Sequence, residues 1–202
     1  DVPSEVEEGA EISAGARLVD EEGNPVGDAR VVAWIDGNPT YHYTDSEGYL
    51  TLNLGRLSRC LHTLRLSFEG GLRDHAYLRG SSTGDLRIAV WHTVEPELSL
   101  ELGGCVEGEE AVAVAAARHP DTGQAISGLL VAFLLDGAEV DRVYTDERGV
   151  ATASLGRPSA GRHVVEARSQ AWSDEVNHVR YLEASATAEF TVLRPSLAAW
   201  TE

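Results

Sequence analysis

Seven histidines and two cysteines are the side chains of this sequence best suited to chemistry, and their spacing limits what they can do. His42, His62, His75, His92, His119, His163 and His178 form no H-E-x-x-H and no Cys-x-x-Cys pattern, so no metal site is expected from them. Cys60 and His62 stand two residues apart, and on a strand such a pair shares one face, where an imidazole could serve a thiol as base. Catalysis would also need a carboxylate to orient the ring, which the sequence does not place beside them, and there is no G-x-S-x-G elbow. No catalytic residue is therefore expected. Oxygen-rich clusters at Asp20-Glu21-Glu22, Asp45-Ser46-Glu47 and Asp174-Glu175 make calcium the one ion the loops would favour. None has EF-hand spacing, and solvated turn residues explain them with no cofactor.

The charge balance narrows the partners. With 33 acidic residues against 16 basic ones and a net charge of −17, the surface repels phosphate backbones and anionic membranes, so nucleic acid is excluded. Every basic residue is arginine, which removes Schiff-base, Walker and isopeptide lysines together. No stretch approaches the roughly 20 apolar residues of a membrane span. The first residue, Asp1, reads as a processed end or a segment boundary, and an extracellular, cell-surface location is expected. Cys60 and Cys105 read as two buried free thiols; the alternative is a single disulfide, closing a loop of about 45 residues and adding roughly 4 kcal/mol.

The elements that must position these residues are written twice. Residues 15–69 laid over 115–170 keep one punctuation at an offset of 100 and then 101. Gly23 meets Gly123, Val26 meets Ile126, and Asp36-Gly37 meets Asp136-Gly137. Farther on, Thr44-Asp45-x-x-Gly48 meets Thr145-Asp146-x-x-Gly149, Leu54-Gly55 meets Leu155-Gly156, and His62 meets His163. Because the second copy keeps His163 while replacing Cys60 by Gly161, the histidines are expected to share a structural role.

Between these marks the chain alternates apolar and polar residues, the period of a strand with one buried face. Leu50, Leu52 and Leu54 share a face, as do Leu64, Leu66 and Phe68; their counterparts Ala151, Ala153, Leu155, Val165 and Ala167 predict a second core built from smaller pieces. Trp34 and Trp172 are expected in a core or between sheets. D-G turns and six or seven strands per repeat predict an all-β chain of two tandem antiparallel sandwiches. The expected domains are residues 1–92 and 93–193, followed by a linker or extra strand at 194–202.

The pattern D-x-x-G-x-P-V-G at Asp20–Gly27, followed by T-D-x-x-G, resembles the immunoglobulin-like repeats of bacterial and archaeal surface proteins, among them invasin-like and carboxypeptidase-regulatory-like modules. The second copy, His119-Pro120-Asp121-Thr122-Gly123-Gln124-Ala125-Ile126, departs by shortening the first turn and lacking the proline before Ile126. The resemblance implies an immunoglobulin-like fold and a non-catalytic role as stalk, spacer, adhesin or enzyme accessory.

The two copies differ at their edges. The second opens with the alternating strand Leu98-Ser99-Leu100-Glu101-Leu102; the first, with Val6-Glu7-Glu8-Gly9 set against Val106-Glu107-Gly108-Glu109, has no such opening. At the other end, Thr191-Val192-Leu193-Arg194-Pro195-Ser196-Leu197-Ala198-Ala199-Trp200 resembles the linker and strand of residues 93–102, with one extra residue, and is left over. With Asp1 and Glu202 as true ends, Leu197, Ala199 and Trp200 of one copy are expected to be donated to an acceptor edge near Val6, Ile12 and Ala14 of the next, giving a head-to-tail filament. With the ends as cuts in a longer array, neighbouring repeats supply the same strand. Binding of a glycan or receptor is the alternative function, with Tyr41, Tyr43, Tyr49 and Tyr77 as its aromatics.

Overall fold

In the computed structural model, which describes residues 1–73 and 76–194, the regular elements are all β-strands. They form two units. The first comprises Asp1–His92 together with Asp174–Val179, the second Thr93–Ser173 and the chain from Arg180 onward. Residues 174–179, which the repeat pattern groups with the second domain, thus belong to the first, where the His92 amide donates to the His178 carbonyl at 3.0 Å.

The first unit contains β1 (Glu5–Glu7), β2 (Ile12–Arg17), β3 (Arg30–Ile35), β4 (Asn38–Tyr43), β5 (Tyr49–Gly55), β6 (Leu61–Arg73), β7 (Ala76–Ser82) and β8 (Leu86–Val94). One sheet runs β4-β3-β6-β8, with β1 parallel to β8 and β7 on the far half of β6; β2 and β5 form the facing sheet. The second unit contains β9 (Glu97–Leu102), β10 (Cys105–Val106), β11 (Ala111–Arg118), β12 (Leu130–Leu135), β13 (Ala138–Tyr144), β14 (Val150–Gly156), β15 (Gly161–Ser169) and β18 (Ser185–Leu193); the hairpin β16 (Trp172–Asp174) and β17 (Val179–Tyr181), which lies between the last two in sequence, follows β8 in the order of the first sheet. Its sheets run β10-β18-β15-β12-β13 and β14-β11-β9. Both units are immunoglobulin-like sandwiches.

Register refines the repeat. Ile12 faces Gly55 as Ala111 faces Gly156, and Arg30 faces Tyr43 as Leu130 faces Tyr144. The Glu8 amide bonds Trp91 as the Glu107 amide bonds Leu193, so Val6 corresponds to Cys105 rather than to Val106. The first turn is longer in the second copy, not shorter. Val26 donates to Leu18 and Ile126 to Ala117, and the turn pairs Asp20 with Asn24 in one copy and His119 with Gln124 in the other.

Each core lies between its sheets. In the first unit Ala14, Val31, Ala33, Leu50, Leu52, Leu64, Leu66 and Ile88 pack together. In the second, the alanines of β11 and β14 leave room that Phe133 and the leucines of β9 occupy, so the smaller pieces are offset by one large residue and one added strand.

The shared punctuation has backbone causes. Asp36-Gly37 and Asp136-Gly137 make two-residue hairpins in which both members have positive φ, 48° and 82° in the first copy, 50° and 83° in the second. The buried hydroxyl of Thr44 accepts from the Ala29 amide at 3.0 Å and donates to the Val26 carbonyl at 2.7 Å; Thr145 repeats this with Leu129 and Ile126 at the same distances. Gly48 and Gly149 close the motif with φ of 77° and 76°, pressed against the carbonyls of Leu18 and Ala117 so closely that a Cβ would collide with them.

Thr145→Val should leave a buried amide and carbonyl unpaired and destabilise the second unit by about 2 kcal/mol, while Thr145→Ser retains most of the stability. Urea unfolding of the three chains measures this.

Candidate functional site

The matching histidines of the two copies close the same clasp. His62 enters on β6 and its Nδ1 meets the Asp36 carboxylate at 2.6 Å, while Nε2 meets the Ser58 carbonyl at 2.7 Å. His163 does the same on β15, with Asp136 at 2.7 Å and the Ser159 carbonyl at 2.8 Å. The second carboxylate oxygen accepts a strand amide, from Thr63 at 2.9 Å or Val164 at 3.0 Å. Both ring nitrogens thus face oxygen partners in each copy. The Asp136 hydrogen bond, then the Ser159 carbonyl, raise the His163 pKa; the Val164 amide, then His163, lower that of Asp136. For Asp36, burial pushes upward, but the bonds from His62 and Thr63 outweigh it and the net shift is downward. The clasp ties the β3–β4 or β12–β13 turn to the loop entering the next strand.

In the first copy a thiol joins it. Cys60 Sγ lies 3.2 Å from His62 Nε2, so Cys60, His62 and Asp36 form a row of sulfur, imidazole and carboxylate. Sequence reasoning missed Asp36 because it reaches His62 across the sheet, although D-G and His recur together in both repeats. Cys60 is a half-buried free thiol and Cys105 a buried one in this structure. Cys105 is buried in the second core, its thiol directed at the Val106 and Glu109 carbonyls at 3.4 and 3.6 Å.

A second feature is the edge of β2. In the second unit β9 pairs along β11 from Glu97–Arg118 to Leu102–Ala113, and Leu98, Leu100 and Leu102 pack on the core. In the first unit Asp1 and Gly15 exchange backbone bonds, the pairing that Glu101 makes with Val114. Asp1 and Val2 therefore stand where β9 ends, and among the described residues no strand continues along β2 toward Arg17. Leu98 packs against Ala117, Ile126 and Leu129; the matching region of the first unit borders an open pocket of about 170 Å³ lined by Ala16, Leu18, Leu50, Leu66 and Phe68. Of the expected acceptor residues, Ile12 and Ala14 lie on β2 with buried side chains, but Val6 lies on β1 in the facing sheet and is not on this edge. The expected donors Leu197, Ala199 and Trp200 lie outside the described residues. Just before them, Arg194 pairs with Glu107 at 2.9 Å.

The four tyrosines are exposed but do not converge. Tyr41 and Tyr43 share the outer face of β4, Tyr49 is on β5 in the other sheet and Tyr77 on β7. Sequence reading missed Trp34 as their neighbour: it is half-buried, on the outward parity of β3, with the Arg65 guanidinium 5.7 Å from its ring centre, while Arg30 lies 5.4 Å over Tyr41. Trp172 is not core; it is 40% exposed and stacks on Tyr181 at 5.7 Å. In the acidic turns, the leading carboxylates face their own loops: Asp20 accepts from the amides of Glu22 and Asn24, Asp45 from Glu47 and Tyr49, Asp174 from Val176 and Asn177.

Fold and site together define a pair of immunoglobulin-like sandwiches with a clasped turn in each and, among the described residues, a two-stranded β2-β5 sheet in the first. No protein-family model and no curated protein matches the sequence. Among solved structures the chain is similar to the fibronectin(III)-like modules of Clostridium thermocellum CbhA, at 14% identity and a TM-score of 0.39, covering 100% of this chain and 95% of that one. It is similar to the Yersinia pseudotuberculosis adhesin InvE at 17% and 0.38, covering 94% and 57%, and to invasin, a bacterial integrin-binding protein, at 16% and 0.36, covering 95% and 37%. The chain thus spans little more than half of the InvE structure and just over a third of invasin. No helix among the described residues is long and apolar enough to cross a membrane.

Folding raises the His163 imidazole above its ordinary 6.5 and lowers the Asp136 carboxyl below its ordinary 3.8. The histidine contribution to stability is complete below pH 6.5 and fades as pH rises through the raised value. The aspartate contribution is complete above pH 3.8 and fades as pH falls through the lowered value. Denaturant unfolding over a pH series should show the second unit losing stability on the alkaline side of this window, and His163→Gln should abolish that loss.

Proposed function

We propose that the chain is a non-catalytic structural module of an extracellular surface assembly, in which an incoming strand completes the first unit along β2. The observation that supports this most directly is the contrast between the three-stranded sheet β14-β11-β9 and its two-stranded counterpart β2-β5. Unpaired strand edges recruit strands, and an adjoining apolar pocket gives a side chain somewhere to go. Residues 195–199 repeat the spacing of 96–100, with Leu197 in the place of Leu98 and Ala199 in that of Leu100. The incoming strand is this segment from a second copy, joined head to tail. Burying a leucine there contributes about 1.5–3 kcal/mol.

A chain shortened after Arg194 should lose concentration-dependent self-association in sedimentation experiments. A synthetic peptide of residues 193–202 should raise the melting temperature of its first unit, and the Leu197→Asp peptide should not. Unchanged association after truncation, or a peptide without effect, would overturn the proposal.

The alternative, an adhesin-like module, draws on the outward row of Trp34, Tyr41 and Tyr43 flanked by Arg30 and Arg65, since aromatic faces with nearby guanidinium groups suit the stacking and hydrogen bonding of sugar rings. Tyr41→Ala would then abolish glycan-array binding without lowering the melting temperature by more than a few degrees; an array with no binding by the parent chain retires this reading.

A further inference from the structure

Cys60 is set apart from every other feature of the clasp because the clasp does not need it. The second unit holds His163, Asp136 and the Ser159 carbonyl in the same geometry with Gly161 at the Cys60 position. What the first unit adds is a sulfur 3.2 Å from His62 Nε2, in a half-buried residue, with the ring held by Asp36 at 2.6 Å and by the Ser58 carbonyl at 2.7 Å. A ring nitrogen that donates to a carbonyl, as Nε2 does to Ser58, cannot also act as the base for that thiol. The ring can do something else: share its Nε2–H between the carbonyl and the sulfur, so that a hydrogen bond holds and directs the sulfur from which cysteine attacks. His62 is itself buried, so water competes little for this hydrogen bond. Ser58 Oγ, 3.8 Å from the sulfur, is a further polar neighbour.

We infer that Cys60 is a built thiol–disulfide exchange site, at which this chain takes up a partner bearing a disulfide bond. The Cys60 sulfur, its proton released to water, attacks one sulfur of that disulfide. A new Sγ–S bond forms as the partner's S–S bond breaks, and the departing thiolate takes a proton from water, so two electrons and one proton are conserved across the exchange. Such chemistry suits an oxidising exterior, where small disulfides and cysteine-bearing surfaces are available. His62 and Asp36 act here as positioning residues. Cys105, buried and aimed at backbone carbonyls, is the internal unreactive control.

The folded chain, reduced and freed of reductant, is treated at pH 7 with an aromatic disulfide (5,5′-dithiobis-2-nitrobenzoate), and release of the coloured thiol is followed. One equivalent per chain should appear at least tenfold faster than from N-acetylcysteine under the same conditions, and the second only after denaturation. Cys60→Ser should remove the fast equivalent, His62→Gln should slow it about tenfold, and His163→Gln should leave it unchanged. Oxidised glutathione offered in place of the aromatic disulfide should give a mixed disulfide on Cys60 by mass spectrometry; a covalent dimer that Cys60→Ser prevents would identify a second copy as the partner. The parent-chain comparison stands even if His62→Gln fails to fold. A rate no faster than that of N-acetylcysteine, or no reaction of the folded chain, overturns the assignment, and neither result bears on strand completion at β2.

Discussion

A strand inside a sandwich has two sides, and each side carries amides and carbonyls that must find partners or face water. The second unit meets this condition along β11 with β14 on one side and β9 on the other. The first meets it along β2 with β5 and the single exchange between Asp1 and Gly15. Most of what distinguishes the two copies follows from this difference: which leucines reach the core, where a pocket opens, and why alanines suffice on β11 and β14. The cores are alternative solutions of one volume problem, since Phe133 and the β9 leucines occupy space that Leu50, Leu52 and their neighbours fill in the first unit.

Much of the fold was legible because its signals are local. D-G needs two positive φ values in succession, T-D-x-x-G needs a buried hydroxyl and a glycine pressed on a carbonyl, and both recur wherever the backbone makes the same turn. Alternation fixed which residues of β5 and β6 face inward. What escaped was everything carried between distant residues. Asp36 touches His62 across the sheet, which no spacing rule along one strand reveals. The pairing of β1 with β8 and of β10 with β18 made Val6 the equivalent of Cys105, and the turn before Ile126 proved longer rather than shorter, because one inserted residue is invisible in a motif that lacks its leading aspartate. The return of residues 174–179 to the first unit also left no periodic trace.

The site legible in sequence was its acids and histidines as types, not their roles. Leading carboxylates in the acidic turns serve their own loop amides, which accounts for their recurrence at turns without invoking an ion. The histidines are joints between loops. Their double hydrogen bonding converts a residue usually read as a ligand or a base into a tie between a neighbouring acid and a carbonyl, and the extra thiol in one copy rests against that fixed ring.

One last feature bears on how such a chain withstands force. β1 runs parallel to β8, with Ala89 bonded to Ser4 and Glu8 to Trp91, and β10 runs parallel to β18 in the same manner. A strand near the start of each unit and the unit's closing strand therefore point the same way, and the polypeptide enters the unit at one end and leaves it at the other. Tension applied through the chain slides these neighbours along each other and loads their cross-links in shear, all at once, instead of peeling them open one by one.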